Sequence, residues 1–526
     1  MIRHIFTVST GTLASRLLGF LRDAMVAALL GAGPIADALL VAFQMVNVVR
    51  RLLTEGALNA ALVPAYWRVR DNQGIAAAAA FAGRVLGTVS LALFAASAII
   101  GLAMPLVIAM LAPGFVGTPT LQSAVDNARL MLPYLAFAGP VTVMMGLLNA
   151  QHRFALTAFS PLLFNIALIA TMIALLVWRQ DAAQTALLIA AAVGIAGLLQ
   201  LAVLASRGGG LATPLRVGFD AQMRGFFAKA IPGMIANSGP QLLVVAGAVI
   251  ASTSPASISW LYFANRLIEL PLGIVGVAMG TVLVPELTRA TRSDDSAAFT
   301  QTASRGFELA LGLALPATLG LMILSQPIVR ALFEHGAFTA SDTHATALVL
   351  IWLALGLPAQ VLVKTFAPAF FARGDTTTPC WAVVRSIAVT VALALLLGHW
   401  FGASGIAAAI ALGAWSNAVG LMWRAAASFG IHLDAAALRR LPRIAGAALV
   451  MGGTLWCGAA LALPSLADAH GIMRIAALGL LIAASVAIYG LLLRWFGVID
   501  WAAASRAWRS APPHGLPPDG SPDLRP

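Results

Sequence analysis

The sequence predicts an all-α polytopic membrane protein, and two observations carry that prediction. Of its 526 residues, 60% are hydrophobic and only 10% charged, and the mean hydropathy is +0.90. Soluble chains carry about 25% charged residues, which clothe their surface. The apolar residues also gather into about fourteen runs, each near the ~20 residues that a helix needs to cross a ~30 Å hydrocarbon core. Strands of a membrane barrel would alternate polar and apolar residues, and these runs do not.

In chain order the runs lie near 5–30, 36–66, 77–112, 124–150, 157–178, 183–205, 222–251, 258–289, 300–333, 341–371, 379–400, 403–429, 441–463 and 471–497. The first follows Met1-Ile2-Arg3-His4 and contains Arg16, Arg22 and Asp23. A cleavable signal has a clean apolar core, so this run is expected to be retained. Cys380 and Cys457 stand far apart in apolar surroundings and imply neither a disulfide framework nor a metal site. The eight histidines occur singly, without metal-ligand spacing. Residues 499–526 are rich in proline and polar side chains and read as a disordered tail.

The net charge of +12 is almost wholly arginine, with Lys229 and Lys364 the only lysines. It does not point to nucleic acid, because the arginines fall in alternate inter-run segments. One set holds Arg68/Arg70, Arg153, Arg207/Arg216/Arg224, Arg289/Arg292, Arg373 and Arg439/Arg440/Arg443, while Gly31–Ala36 and Ser252–Ser257 are uncharged and Glu334, Asp342 and Asp468 make others acidic. Basic segments stay cytoplasmic, which places both termini there, with an even number of spans.

Charges inside the runs carry the functional signal. The first two runs hold Arg16, Arg22, Asp23, Asp37, Arg50, Arg51 and Glu55. Each Arg or Asp at the centre of a lipid-facing helix costs about 2.5–3.5 kcal/mol, so these residues must line a wet cavity, pair with one another, or lie near an interface. Helical spacing puts Arg16, Gly19 and Asp23 on one face, with Arg22 at its flank, and sets Asn47, Arg51 and Glu55 at i, i+4 intervals beside Arg50. Arg51 and Glu55 could form an intrahelical ion pair, but Arg16 has no carboxylate within a turn. A second cluster, Trp260 to Pro271, contains Asn265, Arg266 and Glu269. Arg266 and Glu269 could satisfy each other under an aromatic lid. If Arg16 and Arg266 both point inward, two helical bundles face one cavity, the arrangement of repeat-built transporters. Arginine stays charged and grips phosphate oxygens with two parallel hydrogen bonds, so such a cavity suits a diphosphate and does not suit a cationic drug. A membrane glycosyltransferase or ligase would need catalytic carboxylates or histidines in a sizeable loop, and the short segments between runs offer no such constellation.

Ser15-Arg16-Leu17-Leu18-Gly19-Phe20-Leu21-Arg22-Asp23-Ala24, with Gly31-Ala32-Gly33, Asp37-Ala38, Asn47, Arg50-Arg51, Glu55-Gly56-Ala57 and Val63-Pro64, resembles the opening of the MurJ (MviN) lipid II flippases. The likeness continues in Ala112-Pro113-Gly114-Phe115, Leu148-Asn149, Arg153-Phe154, Trp260–Pro271, Phe333 with Gly336 and Phe338-Thr339, and Lys364–Pro379. The resemblance implies the fold of the multidrug/oligosaccharidyl-lipid/polysaccharide exporter superfamily: six-helix bundles over 1–215 and 216–430 around a central cavity, and two further helices over 431–498 forming a groove for a lipid tail. It implies that the chain flips undecaprenyl-linked peptidoglycan precursor across the bacterial cytoplasmic membrane by alternating access, with no cofactor. Another polyprenyl-linked oligosaccharide is the alternative cargo. Arg16, Arg22, Arg50 and Arg266 would hold the substrate, supported by Ser15, Asp23, Asp37, Asn47, Arg51, Glu55, Asn265 and Glu269. Coupling to a monovalent cation or to the membrane potential is also implied, with Asn237 and Asp375 as candidate cation ligands. Two positions depart from the family pattern: Val46 stands where relatives often carry proline, and Asn265 where they often carry aspartate.

Overall fold

A computed structural model describes residues 2–498 apart from 55–56, 152, 179, 209–211, 221–222, 229–238, 280–285, 287–295, 374, 376, 430–433 and 466–470. Among the described residues all regular secondary structure is helical. The first half comprises α1 (Ile2–Leu30), α2 (Pro34–Thr54), α3 (Ala57–Leu102), α4 (Met104–Leu111), α5 (Pro119–Ala150), α6 (Phe154–Trp178) and α7 (Ala182–Gly208). The second comprises α8 (Gly239–Ala251), α9 (Ser257–Ala278), α10 (Ser296–Ile323), α11 (Ser325–Phe333), α12 (Ala340–Ala354), α13 (Leu357–Ala372) and α14 (Thr377–Phe429). Two more, α15 (Ala435–Ser465) and α16 (Gly471–Trp495), follow.

Among the described residues, each apolar run of the sequence overlaps one or more of these helices. The run over 36–66 covers α2 and the start of α3, and α3 continues through the polar stretch 67–73 to a break at Gly74 (φ 85°). Arg68 and Arg70 therefore stand on a helix and not in a loop. Backbone hydrogen bonding continues through these polar residues, and only the positive φ, open to glycine at no steric cost, interrupts it. The runs over 379–400 and 403–429 form one α14 broken at Gly402 (φ 57°), and the run over 341–371 is the bent pair α12–α13, turned by 41°. With Val46 in place of proline, α2 runs unbroken. Eight described helices are long and apolar enough to span a membrane, nine with the bent pair. The helices α1, α2 and α9 fall outside that set, and they are the ones that carry the inward charges.

In the first bundle α5 packs against α2, α3 and α7, while α1 packs on α6. In the second, α14 contacts α8, α12 and α13. The final pair attaches through α15 on α10. Between α10, α12, α13, α14 and α15 lies an apolar groove of about 560 Å³, lined by Leu315, Leu319, Met322, Trp352, Trp415 and Leu449 among others.

The two bundles meet at one end through main-chain contacts. Gly31 (φ 66°) and Gly336 (φ 59°) each adopt a conformation that glycine alone takes readily. A methyl on Gly31 would strike the carbonyl of Ala337, and one on Gly336 would strike the carbonyl of Ala28. Between them the Ala337 N–H donates to the Ala28 carbonyl at 2.8 Å. Beside this clasp the Gly114 N–H donates to Ser252 Oγ at 3.0 Å, and Phe20 of α1 packs on the buried Phe333, which also contacts Phe263 and Phe338. The segments that meet here are those poor in arginine.

Candidate functional site

Helix α9 begins without a cap of its own: Ala256 sits at φ 63° and offers no side-chain acceptor. The first turn of a helix leaves N–H groups unsatisfied. Asp37, from the start of α2, supplies the missing acceptor across the bundle boundary. Its carboxylate accepts from the N–H of Ala256 at 2.8 Å, the N–H of Ser259 at 2.9 Å and Ser259 Oγ at 2.5 Å. Asp37, which the resemblance gave as a supporting residue, does not line the central cavity. It is a buried helix cap at the closed end.

Below this end the facing helices enclose a central cavity of about 290 Å³. Ser15, Arg16 and Arg22 of α1, Asn47 and Arg50 of α2, and Asn265, Arg266 and Glu269 of α9 all line it. The predicted cluster thus converges, with guanidinium groups drawn from both bundles. They are staggered along the axis. At 1.5 Å per residue, Arg22 lies about 13 Å along α1 from Gly31, Arg16 about 9 Å beyond, and Arg50 about 20 Å along α2 from Asp37.

Asp23, 1% exposed, ties the upper arginines together from behind the cavity wall. Its Oδ1 accepts from Arg22 Nε at 2.9 Å and Nη2 at 2.6 Å, and from the Tyr262 hydroxyl at 3.1 Å. Oδ2 lies 2.6 Å from Arg266 Nε on the other bundle, a charge contact without hydrogen-bond alignment. Arg266 Nη1 donates to Glu269 Oε2 at 2.8 Å, so the intrahelical pair forms and the cross-bundle contact forms as well. Asn265 donates to the other Glu269 oxygen at 3.5 Å. Arg22 is further fixed by Asn165, whose Oδ1 accepts from Nη1 at 3.1 Å, and by the faces of Phe43 and Phe164 at 4.9 and 5.7 Å. Arg50 Nε donates to Asn47 at 3.2 Å. Among the described residues Arg16 forms no ion pair.

Two glycines make this interdigitation possible. Arg16 of the first bundle lies over Gly273 of α9, and Arg266 of the second lies over Gly19 of α1; a methyl at either glycine would overlap the guanidinium. Each bundle thus seats the other's arginine on bare backbone. Among the described residues, Asp23 and Glu269 are the carboxylates in contact with Arg22 and Arg266. A diphosphate diester carries two negative charges, and a low-dielectric pocket with fixed guanidinium groups is complementary to it.

Sequence reasoning did not single out Gln44, Tyr134, Asn165 or Gln200, which also line the cavity. They are neutral and carry no insertion penalty large enough to mark them; only the polar side chain in an otherwise apolar run could have done so. The side chain of Arg51, and Glu55, lie outside the described residues, as does Asn237. Asp375 caps α14. Slight burial opposes its ionisation, but the N–H groups of Thr377 and Thr378, at 3.0 and 2.9 Å, hold its carboxyl below the usual range. One of its oxygens is therefore already committed to the helix.

A sequence model described as lipid II flippase MurJ matches residues 26–476. The chain is 38% identical over 503 residues to a probable lipid II flippase MurJ of Rhizobium meliloti (strain 1021), covering 93% of this chain and 92% of that protein. It is 31% identical over 472 residues to the lipid II flippase MurJ of Burkholderia cenocepacia, covering 87% and 90%. Among solved structures it resembles a lipid II flippase MurJ in an inward closed conformation, with TM-score 0.73 and 22% identity over 92% of this chain and 98% of that one. It also resembles an inward-facing multidrug transporter of the MATE family, with TM-score 0.66 and 13% identity over 80% and 97%.

Proposed function

The chain belongs to the lipid II flippase MurJ family, and from that premise we propose that it carries the diphosphate headgroup of a polyprenyl-linked peptidoglycan precursor, lipid II, through its central cavity. The observation that carries this reading is the convergence of Arg16, Arg22, Arg50 and Arg266, from both bundles, on one water-accessible space. Their stagger gives an anion a series of sites along the cavity axis. The arginines nearest the open side meet the diphosphate first, and Arg22 and Arg266 receive it deeper in.

The clasped, arginine-poor end is taken as the outer end, by the positive-inside rule, and the cavity then faces the cytoplasm with both termini on that side. Transport follows as alternating access. The bundles part at the clasp and close behind the headgroup, while the polyprenyl chain stays in the apolar groove between α10 and α15 and in the bilayer. A doubly charged headgroup would take energy from the transmembrane potential, which is worth about 2.3 kcal/mol per elementary charge at 100 mV.

The test is lipid II translocation in proteoliposomes, with and without an imposed potential. Arg16→Ala and Arg266→Ala are expected to insert normally and to abolish outward movement. Wild-type translocation by both variants would overturn the reading.

A further inference from the structure

The connection between the bundles is laid along the outside of α3. Residues 212–220 are described without regular secondary structure, yet they are held closely. The carbonyls of Ala212 and Pro214 press on Gly83, and that of Arg216 presses on Gly87, where any Cβ would overlap them. Gly218 and Thr88 exchange two hydrogen bonds, Thr88 Oγ1 to the Gly218 carbonyl at 3.1 Å and the Gly218 N–H to Thr88 Oγ1 at 3.3 Å. Arg84 pairs with Asp220 at 3.4 Å. With its carbonyls turned to the helix, this strap presents Leu215, Val217 and Phe219 outward at 64%, 60% and 64% exposure, and Phe219 stacks on Phe227 at 5.7 Å.

The level of the strap decides what meets these side chains. From Val85 to Leu102 α3 carries no charge; 18 residues rise about 27 Å, close to the thickness of the hydrocarbon core. Gly83, Arg84, Gly87 and Thr88 therefore sit at its rim. The exposed apolar face of α3, Leu91, Phe94 and Ile99, continues directly from the strap. Arg216 and Arg224 are exposed beside it. Apolar side chains beside arginines at this depth form an interfacial anchor.

We infer that residues 212–220 form a lipid-inserted strap: Leu215, Val217 and Phe219 enter the acyl boundary of the adjoining leaflet, and Arg216 and Arg224 bind the phosphodiester headgroups of anionic phospholipids. The partner is the bilayer itself, because the apolar triad is continuous with the lipid-facing surface of α3. Beyond the strap, Met223 and Phe226 also pack on the first bundle. None of this depends on the identity of the transported molecule.

The test uses the full chain with Cys380→Ser and Cys457→Ser, labelled with an environment-sensitive fluorophore at Val217→Cys and, separately, at Leu215→Cys. The proteins are reconstituted in phosphatidylcholine vesicles containing a minority of phosphatidylglycerol, and a label at Leu91→Cys gives the fully immersed reference. Blue-shifted emission, quenching by lipids with a nitroxide high on the acyl chain and indifference to aqueous iodide are expected. Nitroxide on phosphatidylglycerol should quench more strongly than nitroxide on phosphatidylcholine, with about fivefold local enrichment per arginine at low salt, and Arg216→Ala with Arg224→Ala should erase the difference. Quenching by iodide would overturn the proposal. So would protection from both quenchers, the outcome of a protein covering the strap. Equal quenching by the two lipids would overturn the headgroup recognition.

Discussion

Replacing Asp23 with asparagine tests how the cavity is held together. Asp23 is the carboxylate that contacts both Arg22 and Arg266, and it does so across the bundle boundary. Asparagine keeps the shape but leaves two guanidinium groups facing each other without their shared anion. Removing one partner of a buried ion pair costs about 3–5 kcal/mol. The lower figure applies here, because the Arg266 side chain keeps 22% exposure and its bond to Glu269. A loss of about 3 kcal/mol confined to the clasped state shifts the equilibrium between clasped and unclasped forms by about a hundredfold. Ala28→Cys with Ala337→Cys, in a chain with Cys380→Ser and Cys457→Ser, places thiols where the main chains of the two bundles meet at 2.8 Å. Disulfide formation at this pair should be rapid with Asp23 and strongly slowed by Asp23→Asn, and transport should fall with it. Unchanged cross-linking in the Asp23→Asn chain would show that Asp23 does not join the bundles, and the account of the network would fail.

Asp37→Asn keeps an acceptor for α9 but removes the charge, and should weaken the clasp by about 1 kcal/mol, read as a severalfold slower cross-link with the cavity arginines intact. Gly19→Leu or Gly273→Leu fills the seat of the opposing guanidinium; translocation should be lost while expression and membrane insertion persist. Asn165→Ala removes a neutral hydrogen bond to a charged group, about 1.5–3 kcal/mol, and should lower lipid II translocation at least tenfold by freeing Arg22. Ala448→Trp, which intrudes on the apolar groove, should impair transport of long-chain polyprenyl substrates while sparing short-chain analogues, measured side by side in proteoliposomes.

What the sequence made legible follows from cost. A guanidinium in an apolar run is costly toward lipid, so such residues had to line a wet cavity, pair or lie near an interface; the resemblance singled out Arg16, Arg22, Arg50 and Arg266, and all four line the central cavity. Neutral residues carry no such penalty, and Asn165, Tyr134, Gln44 and Gln200 passed unnoticed. The sequence also marked Asp37 as an inward charge but not its task, because its partners lie more than two hundred residues away at the start of a helix lacking a cap. Composition located each run, yet helix ends turned on single backbone angles at Gly74 and Gly402. Asp375 entered as a candidate ligand through the resemblance, and its helix-capping bonds to Thr377 and Thr378 were not legible in that likeness.

The clasp between Gly31 and Gly336 is built from peptide groups and bare α-carbons, with no titratable atom in the contact. That peptide contact should therefore be nearly indifferent to ionic strength, while the ion pairs of the arginine network beneath it are weakened by salt. Opening rates measured over a range of salt would then report on Asp37 and the arginine network, with the glycine contact itself acting as a constant mechanical load. Any side chain added at either glycine changes that load without touching the chemistry of the passage, so these two positions offer a way to adjust the speed of the cycle independently of what the protein recognises.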